Sequence, residues 1–300
     1  MSAPRKPLPP YDSPFESAWL KWAQAIVHAQ TLDADVEAWG QLNRNPVRAF
    51  RAEYQAKRHG FAIIIEELDP IPARWRLLLG DIANNYRAAL DHLAWALVSR
   101  GKTPPETGAL SSAQEKAVYF PISQDRPGFN AEVRVPASPK SRFKLPGIRL
   151  ADSAVVRRAQ PYHRGARRRQ LHPLVLLAGI NTGDKHRAIQ PIWTYPSRFD
   201  IEVTHMRDCV LRGTQVWGRK RRPLGAGAEL ALLPARRLGD NPELEMKLDV
   251  TPAPTIGESV SVREWHAKTG ILLFKLLCEF SAQPASIHEV GAVFVQTNYG

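Results

Sequence analysis

The sequence predicts an α+β protein, a mainly helical up-and-down bundle with a small antiparallel β-sheet inserted before its last helix. Three observations carry this. Amphipathic stretches of helical period fill much of the first hundred residues and return near the C-terminus. Between Leu244 and Val250, apolar residues alternate strictly with Glu245, Lys247 and Asp249, the period of a half-buried strand. Between these regions, residues 102–160 lose apolar periodicity and gain Pro, Gly and Ser, which predicts an irregular insertion wrapped over the helices.

Residues 1–12 are Pro-rich and polar, a disordered lead-in. Residues 13–300 are expected to form a single domain. Ser13-Pro14-Phe15-Glu16 is a capping box with Pro at the first helical position, and it opens a helix bearing Phe15, Trp19, Trp22 and Ile26 on one side. A second helix is expected from Asn45-Pro46, with Val47, Phe50, Tyr54, Phe61, Ile64, Ile65 and Leu68 as its stripe. It stops at Asp69-Pro70-Ile71-Pro72. A third runs from Ala73 to Arg100, and Gly101 ends it.

A fourth helix is expected over Gln170–Gly179, within a helical segment 168–190. The β insertion covers 195–255, with Phe199, Ile201 and Val203 on one strand and Glu229–Leu233 as the expected partner of 244–250. Ser261-Val262-Arg263-Glu264 repeats the capping box and starts a last helix within 258–282. Helices from 13–100, 168–190 and 258–282 thus make the bundle.

Several function classes are excluded by pattern. Two cysteines, Cys209 and Cys278, make no disulfide framework and no metal spacing, which points to a reducing, cytoplasmic compartment. The first twenty residues carry no apolar h-region of a signal peptide. No run approaches the ~18–20 apolar residues of a membrane span. Glycine-rich phosphate loops, His-x3-His or Cys-x2-Cys metal patterns and the Gly-x-Ser-x-Gly elbow are all missing, so neither cofactor nor metal is expected.

The net charge of +12 is concentrated in the middle of the chain, where residues 134–237 hold 22 Lys and Arg against 6 Asp and Glu. Arginines dominate there: Arg157-Arg158, Arg164, Arg167-Arg168-Arg169, Arg219 with Arg221-Arg222, and Arg236-Arg237. Planar guanidinium forks suit phosphate oxygens. Such a surface is the electrostatic footprint of a polyanion, with RNA the expected partner; a basic, solvated loop is the alternative.

The third helix carries an unusual polar arc. At about 100° per residue, Asp81, Asn84, Asn85, Arg87, Ala88, Asp91 and His92 share one side, opposite Ile82, Tyr86, Leu90, Leu93 and Leu97. A solvated face would use Lys and Glu, because Asn and Asp compete for the backbone. Arg158–His163 and Arg167–His172 share the Arg-x4-His spacing, but they fall in or beside a loop with Pro161, Gly165 and Pro173.

Arg87-x4-His92 on an interior helix resembles the signature of the HEPN superfamily of helical-bundle ribonucleases. The stretches Gly80–Leu93, Gln160-Pro161-Tyr162 and Asp184-Lys185-His186-Arg187 are also similar to a group of uncharacterised bacterial proteins. The HEPN resemblance implies metal-independent RNA cleavage through attack of the 2′-hydroxyl, with Arg87 and His92 as catalytic residues. Histidine can exchange the proton near neutrality, and arginine can stabilise charge on the phosphorane. It implies a site completed across a symmetric homodimer, with Asp81, Asn84, Asn85 and Asp91 in support. Gln160, Tyr162, Arg167, Arg168, Asp184, Lys185, His186 and Arg187 are the expected phosphate contacts. Two alternatives stay open: Arg87 and Asp91, four residues apart, form a structural ion pair in an anion-binding protein, or the basic surface meets an acidic protein.

Overall fold

The capped apolar stretch at the start forms α1 (Glu16–Gln41) in the computed structural model, which describes residues 14–42, 45–101, 112–133, 144–186, 192–212, 217–218, 224–256, 260–283 and 287–299. Ser13 of the capping box, the lead-in 1–12 and the cluster Arg219–Arg222 lie outside these residues. The fold is α+β. It divides into two compact units where a single domain was expected: Met1–Thr31, Leu78–Ile189 and Arg263–Gly300 in one, Leu32–Leu77 and Gln190–Val262 in the other.

The largest departure from expectation is at 45–68. This segment is not a helix but a hairpin, β1 (Val47–Gln55) and β2 (Gly60–Leu68), paired antiparallel with Ala52 opposite Ile63. Ile63-Ile64-Ile65 are β-branched and fit a pleated surface better than a helix. The turn places His59 at a positive φ of 49°, followed by Gly60, where any Cβ would lie 2.4 Å from the Leu233 carbonyl oxygen. Gly60 is there because the neighbouring strand leaves no room for a side chain.

The third expected helix is α2 (Ala73–Gly101), with the expected bounds. The presumed irregular insertion contains three short helices among its described residues, α3 (Ser112–Ala117), α4 (Arg126–Val133) and α5 (Leu150–Arg158). A four-residue helix, α6 (Ala166–Arg169), precedes α7 (Pro173–His186), which starts and ends later than expected. Pro173 sits at its first helical position, where a missing N–H costs nothing.

Six more strands follow among the described residues: β3 (Ile192–Arg207), β4 (Cys209–Leu211), β5 (Trp217–Gly218), β6 (Glu229–Arg237), β7 (Glu243–Ile256) and β8 (Val260–Ser261). They make two antiparallel sheets, not one. The first has the order β1-β2-β6-β4 with β5 also on β6; the second is β3-β7-β8. β6 therefore pairs with β2 and not with β7. The reason is burial: Phe61, Ala62 and Ile63 on β2 and Leu230 and Ala231 on β6 are all buried. β7 instead joins β3 with Ile201 opposite Leu248, and its outward Lys247 meets Glu202 at 3.3 Å.

Two helices close the chain, α8 (Val262–Cys278) and α9 (His288–Tyr299), the latter unforeseen. All described strands belong to the second unit, and the first is built from helices. Its core is aromatic: Trp19, Trp22, Tyr86 and Trp265 are buried. Trp22 Nε1 donates to the Gly270 carbonyl at 2.9 Å, and Tyr86 Oη donates to the His266 carbonyl at 3.1 Å. A Cβ at Gly270 would meet the Phe294 ring and Tyr86 Oη at 2.7 Å. Side chains of α1, α2 and α9 thus converge on one glycine of α8. No helix among the described residues is long and apolar enough to cross a membrane.

Candidate functional site

The polar arc of α2 is held by a buried need elsewhere. Phe120 is buried in an extended segment that belongs to no described helix or strand. Its backbone groups still require partners, since an unpaired buried amide is costly. Arg87 and Asp91 supply them: Arg87 Nη2 donates to the Phe120 carbonyl at 3.1 Å, and the Phe120 N–H donates to Asp91 Oδ1 at 3.0 Å. The two side chains also bind each other in bidentate fashion, Nε to Oδ2 at 3.0 Å and Nη2 to Oδ1 at 2.7 Å. Only 18 % of the Arg87 side chain is exposed.

The other residues of the arc diverge. Asn85 Nδ2 donates to the Asp81 carbonyl within the same helix, while Asp81 is exposed. Asn84 Oδ1 accepts from Asn181 Nδ2 at 2.7 Å, which ties α2 to α7. His92 is half-buried, and its Nδ1 is buried with no hydrogen-bond partner among the described residues. Five positions on a helix turn His92 by about 140° from Arg87.

Two expected phosphate contacts have structural tasks. Gln160 is 1 % exposed; its Oε1 accepts from the Ser123 N–H at 2.9 Å and its Nε2 donates to the Val156 carbonyl at 3.0 Å. Both amide ends are committed, so Gln160 anchors the same wrapping segment and does not offer itself to an anion. Tyr162 lies against His163 and Phe129, ring centroids 4.4 and 6.0 Å away, and its hydroxyl is buried. Burial pushes the phenol pKa up, opposed by Arg157 and Arg126. The side chains of Arg167, Asp184, Lys185 and His186, and all of Arg187, lie outside the described residues.

A pocket of about 710 Å³ opens elsewhere in the helical unit, among α5, α6, the start of α7 and α8. Arg158, Arg164, Arg168, Lys268 and Lys275 line it, with Glu279 as the one carboxylate among its described lining residues. Glu279 meets Arg158 at 3.5 Å, and Lys268 meets Glu264, outside the lining, at 2.5 Å. These exposed pairs are weak and exchangeable. Val155, Leu171, Pro173, Ile271, Leu272 and Leu276 make the apolar wall. On α8 the lining recurs at 268, 271, 272, 275, 276 and 279, one face of a helix.

His172 completes the wall and caps α7. Its Nδ1 accepts the Leu174 N–H at 3.2 Å, satisfying one of the free donors of the first turn. Burial, and then the nearby Arg164, lower its pKa to about 4. The ring is neutral at neutral pH, with its proton on Nε2.

Of the expected contacts, only Arg168 reaches this pocket by a described side chain. Arg158 and Arg164 belong to basic clusters legible in the sequence, whereas Lys268 and Lys275 did not stand out. The signal was there: two lysines seven residues apart, amid Ile271, Leu272 and Leu276. Among the described residues no group of three or more His, Cys, Asp and Glu is placed to hold a metal ion. No protein-family model, curated protein or solved structure matches the chain.

Proposed function

We propose that this chain is a non-enzymatic anion-binding protein that takes a phosphate group in the cationic pocket of its helical unit. One observation carries the reading: among the described residues, five cationic side chains line a ligand-sized cavity whose lining holds a single carboxylate. Gathering like charges costs free energy unless an anion relieves it, and guanidinium forks match phosphate geometry. The polar helix is then structural, its Arg87–Asp91 pair serving Phe120.

Titration calorimetry with inorganic pyrophosphate tests this. Binding is expected at about 50 mM salt and should weaken strongly by about 200 mM. Replacing Arg164 and Arg168 together by alanine should lower affinity about tenfold or more. Both side chains are exposed, so the fold should persist. No binding at low salt, or an unaffected double variant, would refute the reading.

A second reading is the cytoplasmic, HEPN-like ribonuclease acting through Arg87 and His92, in a homodimer. The observation in its favour is the Asn84–Asn181 bond, which draws the helix carrying Asp184, Lys185 and His186 to the polar arc of α2. It predicts RNA cleavage that persists in EDTA and vanishes in both Arg87→Ala and His92→Ala. The structural assignment predicts intact RNA with the parent protein, and a loss of about 2 kcal/mol in stability for Arg87→Ala, from a half-buried pair with two backbone partners. Gel analysis of a labelled RNA beside urea unfolding separates the two.

A further inference from the structure

The pocket wall says more about its occupant than charge alone does. A nucleic-acid strand is held by cations that track its backbone and by aromatic faces on which bases stack. Here the cations are present, but the described lining holds no Phe, Tyr or Trp, and its one ring, His172, is buried and spent on capping α7. The wall is aliphatic: Leu276 is buried, Val155, Ile271 and Leu272 are half-buried, and Leu171 is 48 % exposed. Apolar side chains left open to water beside a cluster of cations match a ligand that is itself divided, one end phosphate and the other hydrocarbon.

Helix α8 displays this division in its own sequence. Lys268 and Lys275 stand two turns apart, and Ile271, Leu272 and Leu276 lie on the same face between and beside them. Arg164 and Arg168, from the segment before α7, add guanidinium groups for which the described residues show no carboxylate partner. His172, neutral and with its Nδ1 committed to the Leu174 N–H, lines the wall without enlarging the cationic surplus.

We infer that the pocket binds a phosphate monoester carrying an alkyl or acyl chain, its phosphate held by Arg158, Arg164, Arg168 and Lys275 and its chain laid on the aliphatic face of α8 and Leu171. This rests on the anion-binding reading above and specifies its ligand. The same chemistry is offered by a soluble phosphate ester and by a lipid headgroup with its chains.

Calorimetry on the full chain with methyl, butyl and octyl phosphate, each below its micelle concentration, is the test, with inorganic pyrophosphate and octanol as references. Affinity should rise about two- to fourfold per methylene until the apolar wall is covered. Octyl phosphate should then bind about 100-fold tighter than methyl phosphate. Leu171→Ser, at an exposed position that does not threaten folding, should cut octyl phosphate affinity several-fold and leave pyrophosphate unchanged. Flotation with phosphatidylcholine vesicles, with and without phosphatidic acid, identifies the source. Capture by the phosphatidic acid vesicles that octyl phosphate competes away supports a lipid. Octyl phosphate binding without capture supports a soluble ester. Equal affinity for methyl and octyl phosphate overturns the inference while pyrophosphate binding upholds the anion site; failure of every phosphate to bind overturns both.

Discussion

Arg100→Ala is expected to destabilise the helical unit by about 3–5 kcal/mol, the cost of stranding a buried charge. Arg100 ends α2, and its guanidinium grips Asp152 near the start of α5, Nε to Oδ2 at 3.0 Å and Nη2 to Oδ1. Asp152 is 6 % exposed, so water cannot replace the lost partner. The guanidinium also lies over two rings, 5.0 Å from the Phe15 centroid and 5.2 Å from that of Phe280. One side chain thereby joins α2, α5 and the residues flanking α1 and α8. Lysine would restore charge but not the planar fork, so Arg100→Lys should recover only part of the loss.

A double-mutant cycle separates pairing from packing. Asp152→Asn removes the stranded charge, so Arg100→Ala with Asp152→Asn should lose less than the two single changes summed. Urea unfolding followed by far-ultraviolet circular dichroism provides the measurement. A loss under about 1 kcal/mol for Arg100→Ala would mean that Asp152 is effectively solvated, and the pair would rank with ordinary surface bridges.

The long helices were legible because their signals are local. α2 starts after Pro72 and ends at Gly101 as its pattern dictates, and the Arg87–Asp91 spacing already allowed a structural pair. Its reason was not legible, since Phe120 lies 29 residues from Asp91 and joins no regular element. The hairpin at 47–68 is hidden from local pattern for a similar reason. Its apolar residues fit a helical stripe, and what decides for strands is the pairing of β2 with β6 across more than 160 residues. The local marks of strands there are the β-branched run Ile63-Ile64-Ile65 and Gly60, a glycine forced by a neighbouring backbone. The pocket follows the same rule. Its arginines were visible as a cluster, but the face of α8 that completes it begins about a hundred residues later, where Lys268 and Lys275 look like routine helix-surface lysines.

Lowering the pH from about 7 to about 4 is expected to remove about 3 kcal/mol through His172 alone, because its pKa falls from 6.5 to about 4 in the fold. The sign follows from proton uptake. Between these two values the unfolded chain binds a proton on His172 and the native chain does not, so acid favours unfolding across that window and adds nothing below it. The structural cause is twofold. The ring is 6 % exposed, and its Nδ1 lone pair is spent on the Leu174 N–H, which protonation would abolish. Arg164 adds repulsion to the charged form. Carboxylates elsewhere also respond to acid, so the comparison is with His172→Asn, a residue that still caps but does not titrate. Urea midpoints at about pH 7, 5.5 and 4 should show the parent losing about 3 kcal/mol more than the variant over this range. Parallel curves would mean that His172 takes up its proton as readily in the fold as outside it. The cap in the pocket wall would then gain a positive charge as the pH falls through about 6.5.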